Sequence, residues 1–298
     1  MTLCVRRNMK NLLVCVLITL PTLAIGQLSL DFYADAFTHM NLAAHREMAH
    51  EQFLSNFLAE AADSDVSFSV NSPYINEIRP ADSSWVLYNW QVEGENTHDY
   101  HAYYRHVLSP KLIAFSAAGE DLYSATRETL GPDEWIGAYY YNTHSDTTAQ
   151  GQAYVILLGL NKHVPAYDLK IADVLVINPD GSPSLGAPIF IKENQSSRDD
   201  IRKRVIIKYS DPASVSFNVS EDGSVLSHNH IMLVAEQSYL SEPLLVQDGS
   251  YEIYRERDGA WYYEEFLFEQ TLEQATPEDQ PEPTVKRDLM GRPRKGDQ

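Results

Sequence analysis

At 298 residues, 44% hydrophobic and 22% charged, the chain is long enough to bury a sizeable core and too apolar to be disordered throughout. Its 42 Asp and Glu against 23 Lys and Arg give a formal charge of −19 at pH 7, a field that repels a phosphate backbone and argues against nucleic acid as a partner. The two cysteines, Cys4 and Cys15, both lie near the N-terminus, so a disulfide-stapled scaffold is excluded for the rest of the chain.

Residues 1–26 read as a secretory signal. Arg6, Arg7 and Lys10 precede the apolar run Leu12–Leu20, and Ala24-Ile25-Gly26 supplies small residues where a peptidase would cut. The competing reading is a membrane anchor, but the run is shorter than the ~20 apolar residues that span a bilayer, so no transmembrane segment is expected in the mature chain. Cleavage would remove both cysteines and three cations, taking the formal charge to −22.

From Ser29 to Ala62 apolar residues recur every three or four positions: Tyr33, Phe37, Met40 and Ala44, then Phe53, Leu54, Phe57, Leu58 and Ala61. This predicts one or two amphipathic helices, with Asp31 at the positive end of the dipole and Asp63-Ser64-Asp65 as the stop. Residues 27–65 are thus read as a helical segment and 66–275 as a β-rich domain. In the latter, Val86, Tyr88, Trp90 and Val92 alternate on one face of a strand. Tyr100–Val107 and Lys111–Phe115 predict further strands, Gly119–Leu130 a short helix or loop, and the aromatic run Trp135–Tyr141 another strand. The runs from Ala153 (AYVILLGL) and from Tyr167 (YDLKIADVLVIN) barely alternate, which predicts central strands covered on both faces. Asn178-Pro179-Asp180-Gly181 has the residues of a type I turn with a bulge.

In Lys203–Ala235, Val205, Ile207 and Tyr209 alternate with Arg204 and Lys208, and Val215, Phe217 and Val219 with Ser214, Ser216 and Asn218. With Asp211-Pro212 and Glu221-Asp222-Gly223 as turns, this stretch predicts a β-meander. Asp258-Gly259 predicts a tight hairpin between Ser250–Glu256 and Trp261–Glu269. Residues 276–298 hold four prolines and a basic end (Lys286, Arg287, Arg292, Arg294, Lys295), which reads as a flexible tail. The fold class expected is mainly β, an antiparallel curved sheet or sandwich with one or two N-terminal α-helices packed on it.

The segments WVLYNWQ, WIGAYYY, AYVILLGL, KIADVLVINPDGSPSLGAPIF and KRVIIKYS, in this order, resemble a family of exported, functionally uncharacterised Bacteroidetes proteins. The resemblance runs over about Trp85–Phe268, and Lys170–Phe190 is its most specific piece. It implies a Gram-negative envelope or its exterior, whether periplasm, outer-membrane-associated or extracellular, and it brings no catalytic residues. This chain departs from the pattern at Ser227-His228-Asn229-His230, where an acidic residue followed by a single His is expected.

His228 and His230, one residue apart on a predicted strand, point to one face and would supply two ligands to a metal, with no third ligand identifiable. Leu226, Met232 and Val234 share their parity, so an apolar strand face with a histidine rim is the competing reading. His98, His101 and His106 do not share a face and are expected at the surface, and His39, His45 and His50 on the polar side of helices. Nucleophile-elbow, phosphate-loop and dinucleotide motifs are all missing. Tyr88, Trp90, Tyr139, Tyr141 and Tyr262 offer either a stacking surface for sugars or protein, or a core and its rim. The expectation is an exported, non-enzymatic envelope or surface protein without cofactor, binding an unknown envelope protein or glycan. The alternative is a metal-dependent hydrolase using His228 and His230.

Overall fold

The computed structural model describes residues 28–117, 121–163, 167–194, 198–210, 213–234 and 244–266, and the strands with least alternation lie at its centre. The signal-like segment, the Asp211-Pro212 turn and the C-terminal tail fall outside the described residues. In chain order, α1 (Leu30–His39) and α2 (Ala43–Ala62) precede β1 (Asn76–Ile78), β2 (Trp85–Glu93), β3 (His98–His106) and β4 (Ser109–Phe115). A one-turn helix, α3 (Leu122–Ala125), leads to β5 (Tyr139–Thr147), β6 (Ala153–His163), β7 (Tyr167–Ile177), β8 (Pro183–Leu185), β9 (Phe190–Lys192) and β10 (Asp200–Arg202). The remaining strands are β11 (Val205–Tyr209), β12 (Phe217–Val219), β13 (Val225–Val234), β14 (Leu244–Arg257) and β15 (Ala260–Phe266).

These strands form three sheets. The first has the order β1-β2-β3-β4, the central one β11-β7-β6-β5 with β8 on β7, and the third β10-β9-β15-β14-β13-β12. All pairings are antiparallel except β15 with β9. Parity along the strands explains the stacking, because successive side chains leave a strand on opposite faces. In the central sheet Ile156, Leu158, Ala172 and Val174 join a core with Phe217, Leu226, Tyr254 and Trp261 of the third sheet. Their neighbours Leu157, Ile171 and Leu175 join a second core with Trp85, Leu87 and Tyr104 of the first sheet. The other face of β2, with Val86, Tyr88, Trp90 and Val92, packs on Phe37, Phe53 and Phe57 of the helices. The result is helices on a β-sandwich with a further sheet behind it, and near-continuous apolar runs appear where both faces are covered.

Ser29 caps α1 by accepting from the Phe32 N–H (3.2 Å). Of the apolar stripe, Phe37, Phe53, Phe57 and Ala61 are buried, while Met40 and Leu58 are exposed. The end of α2 is satisfied by a buried arginine from β3: Arg105 donates to the carbonyls of Ala61 (2.5 Å), Ser64 (2.8 Å) and Asp65 (3.1 Å). A guanidinium at a helix C-terminus both fills orphan carbonyls and opposes the negative end of the dipole.

Two histidines expected at the surface are instead packed together between α2 and the first sheet. The rings of His50 and His101 lie 4.2 Å apart, and the Trp90 indole N–H donates to His50 Nε2 (3.2 Å). Burial lowers the pKa of both rings to about 4; at His50 the neighbouring His101 adds to this and Asp99 opposes it. Helical and strand parity described each segment separately and held no information on the face each would meet in the other.

The two sandwiched sheets are tied by polar groups whose bonds are completed internally. Asn89 donates to the carbonyls of His101 (3.0 Å) and Ala138 (2.9 Å) and accepts from the Tyr140 N–H (2.7 Å). Asp173 meets Arg204 Nε at 3.0 Å, both side chains essentially inaccessible, and the rest of the guanidinium reaches the carbonyls of Leu185 (2.9 Å), Glu128 (3.2 Å) and Ala125. Gly159 pairs with Tyr140, and a Cβ there would lie 2.9 Å from that ring and from Ala138, so only glycine allows the approach.

Local turn chemistry is realised where it was expected. Asp258 and Gly259 both have positive φ (54° and 76°) and join β14 to β15, as a type I′ turn demands. Asn178–Gly181 joins β7 to β8, with the Gly181 N–H on the Asn178 carbonyl (2.8 Å). The β-meander of Lys203–Ala235 is corrected, because β11 does not pair with β12. It pairs with β7, as in Val205↔Ala172 and Ile207↔Lys170, while β12 and β13 belong to the third sheet. Alternation makes a strand but does not choose its partner; pairing with β7 still leaves Val205, Ile207 and Tyr209 in the core between the central and third sheets.

Candidate functional site

The central sheet ends at β11, whereas the third sheet is six strands wide. Where β11 stops covering it, the inner face of the third sheet opens into a groove of about 400 Å³. Phe190 and Lys192 of β9, Asp200 and Arg202 of β10, Tyr254 of β14 and Tyr263 of β15 line one side, and Val205–Lys208 form the other. His228, His230, Ile231, Leu245 and Glu252 complete the lining.

Register places the key groups. His228 is opposite Glu252 across β13 and β14, and Tyr254 is opposite both Leu226 and Tyr263. Pairs two residues apart share a face, so His228, Glu252, Tyr254 and Tyr263 all project inward. His228 Nε2 lies 3.6 Å from Glu252 Oε2, and the Tyr263 hydroxyl donates to Glu252 Oε1 (2.5 Å). His228 Nδ1 is 3.0 Å from the Asn229 carbonyl, which can only accept, so Nδ1 carries the proton. Burial lowers the pKa of His228, with the Asn229 carbonyl and Glu252 acting in the opposite direction, which keeps the ring neutral at pH 7. Burial also raises the Tyr254 hydroxyl to about 12 and the Tyr263 hydroxyl higher still, so both act as neutral donors.

The charges around the groove are unequally engaged. Burial works against the Asp200 carboxylate, but Arg202 (2.7 Å) and Arg127 (2.9 Å) hold its pKa below the ordinary range. Lys192 rests over the Tyr263 ring (4.1 Å) and Lys208 over the Tyr167 ring (3.6 Å), and among the described residues neither ammonium pairs with a carboxylate.

His228 and His230 therefore reach one groove, although not by simple alternation. The register shifts between Asn229 and Ile231, a bulge in which Asn229 Oδ1 accepts from the Ser216 N–H (2.7 Å) and Oγ–H (2.8 Å). His228 is 4% exposed at its side chain, whereas His230 is 37% exposed and bonded through Nδ1 to Asp248 (2.8 Å). Among the described residues, no three His, Cys, Asp or Glu side chains converge as a metal cluster.

The aromatic residues do not make one surface. Tyr88 and Trp90 are fully buried under the helices, which removes them from any stacking face. Tyr139 lines a separate cavity of about 260 Å³ with Phe37, Tyr74 and Gln91. Tyr141 donates to the Phe217 carbonyl (2.8 Å) with Lys170 over its ring, and Tyr262 carries Arg257 at 5.2 Å. Strand preference alone accounts for such residues in cores and at rims.

Sequence reasoning missed Glu252, Lys192, Asp200, Arg202 and Lys208. Alternation in Ser250–Glu256 puts Glu252 and Tyr254 on one face, but only strand pairing sets Glu252 beside His228. No family model matches this chain, and no curated protein or solved structure is significantly similar to it.

Proposed function

We propose that this chain is an exported envelope or surface protein that binds a glycan component, an acid-bearing saccharide, in the groove beside β11. The signal-like residues 1–26 and the resemblance to exported Bacteroidetes proteins support the compartment. The observation that carries the ligand is the groove lining: the Tyr254 hydroxyl, a buried imidazole, and two ammonium groups that meet no carboxylate among the described residues, around a space of about 400 Å³. That volume lies in the range of small-ligand sites and is too small for a folded partner. Hydroxyls would meet Tyr263 and Glu252, and the saccharide carboxylate would meet Lys192 and Lys208.

The test is calorimetric titration of the untagged mature chain with neutral and carboxylate-bearing oligosaccharides. Binding only of the acidic ones, weakened about tenfold by Lys192→Ala with Lys208→Ala, is expected from the loss of two charge-assisted contacts. Equal binding of neutral and acidic sugars, or of neither, would sink the reading. A metal-dependent hydrolase using His228 and His230 is the second reading, favoured by their presence in one groove. It requires metal-dependent turnover of an ester, amide or phosphoester that His228→Ala abolishes.

A further inference from the structure

Of the four tryptophans, Trp90, Trp135 and Trp261 donate their indole N–H inside the fold, to His50 (3.2 Å), Tyr140 (2.8 Å) and Tyr154 (3.0 Å). Trp85 is the exception: the residue is only 5% exposed, yet its N–H meets no acceptor among the described residues. A buried indole ordinarily finds a partner, so this donor points to an acceptor that the chain does not itself supply.

Register sets what surrounds it. Trp85 lies opposite His106 across β2 and β3, so both leave the first sheet on the face turned to the central sheet. There they border a cleft of about 680 Å³, on the opposite side of the central sheet from the groove beside β11. Its floor is one face of β5, β6 and β7: Ser145 pairs with Val155, Val155 with Leu175, and Ile177 continues the row. His106 Nδ1 accepts from the Leu108 N–H (3.0 Å), which leaves Nε2–H as a second donor. The described lining contains no lysine or arginine. Of its two carboxylates, Asp146 is spent on the Thr147 N–H (2.7 Å) and the Tyr154 hydroxyl (3.2 Å), while Asp82, held below the ordinary range by its bond from the Ser84 N–H, stays ionised at the rim.

We propose that this cleft binds a neutral, largely apolar small molecule through a carbonyl oxygen that accepts from Trp85 Nε1–H, with His106 Nε2–H as the second donor of the site. Directly opposite residues on paired strands have Cβ atoms only about 5 Å apart, so one ligand reaches both. Its apolar carbon covers Val155, Leu175 and Ile177, and the volume is that of a small-ligand site. The two heads that would compete are disfavoured for separate reasons. A carboxylate meets the ionised Asp82, and an ammonium has no lone pair to offer the donors. The site stands apart from the saccharide groove, because the central sheet lies between them.

Three probes that share a cyclohexyl group and differ at the head make the test: N-cyclohexylacetamide, cyclohexylacetate and cyclohexylammonium. Each is titrated into the untagged mature chain at pH 7 while the indole N–H resonances, assigned by through-bond NMR, are followed. The amide is expected to saturate with a shift of the Trp85 resonance, and to bind at least about fivefold more tightly than either ion, the size of one hydrogen bond. Trp85→Phe keeps an apolar ring and removes the donor, so it should weaken the amide by about the same factor. No saturation by any probe, or an ion that binds as tightly as the amide, overturns the site. Saturation that leaves the Trp85 resonance unmoved overturns it too, and this readout needs no variant to fold. Undiminished amide binding by Trp85→Phe overturns the role of the indole N–H.

Discussion

The two faces of the central sheet meet their neighbours in different ways. Toward the first sheet, Asn89, Asp173, Arg204, Tyr140 and Trp135 satisfy one another and the adjacent backbone, with the Trp135 indole N–H on the Tyr140 hydroxyl (2.8 Å). Toward the third sheet, the core is apolar where β7 and β6 cover it and polar where β11 ends, and there His228 and Glu252 face each other at 3.6 Å on the groove wall. A polar group whose bonds are all spent inside the fold registers one sheet on another. One left with a bond to make is available to a ligand.

Four measurements would break or sharpen this contrast. The largest effect of a single substitution belongs to the buried ion pair: Arg204→Ala leaves Asp173 without its cation and removes a donor from three backbone carbonyls, so about 3–5 kcal/mol should be lost in chemical denaturation. A cost below about 1 kcal/mol would show that this interface is not held by its polar clamp.

The next effect is pH-dependent. His50 and His101 titrate near 4 in the folded protein and near 6.5 unfolded, so between these values the unfolded chain binds more protons and stability falls as pH falls. About 3 kcal/mol per ring should be present above pH 6.5 and lost progressively toward pH 4. Denaturation curves at pH 7, 5.5 and 4.5 measure it, and a double His50→Phe, His101→Phe variant should flatten the dependence. A slope unchanged in that variant would assign the acid sensitivity elsewhere.

Asn89→Ala comes third. It orphans the Tyr140 N–H and removes a donor from two carbonyls, which should cost about 2 kcal/mol. Asn89→Asp should be no milder, since a carboxylate cannot donate to those carbonyls, and denaturation of the two variants side by side checks this.

The smallest effect is expected in the groove. Glu252→Gln keeps the side chain's shape and an oxygen to accept from Tyr263, so stability should change by no more than about 0.5 kcal/mol in chemical denaturation. A destabilisation as large as that of Arg204→Ala would place Glu252 among the structural groups and remove the distinction between the two faces.

The sequence by itself determined the elements and several of their joints. Alternation in Trp85–Val92, the paucity of alternation in β6 and β7, and the Asp258-Gly259 and Asn178–Gly181 turns are all decided within a few residues, because parity and positive φ are local properties. The helical stripe of Phe37, Phe53 and Phe57 belongs to the same class. Only the tertiary structure decided that β11 leaves its sequence neighbours for β7, that His50 meets His101, and that Glu252 stands opposite His228 with Tyr263 behind it. Each of these depends on pairing between segments far apart in the chain. The free energy that selects such a pairing comes from the total apolar surface it buries and from the polar bonds it completes, quantities that no single stretch of sequence contains.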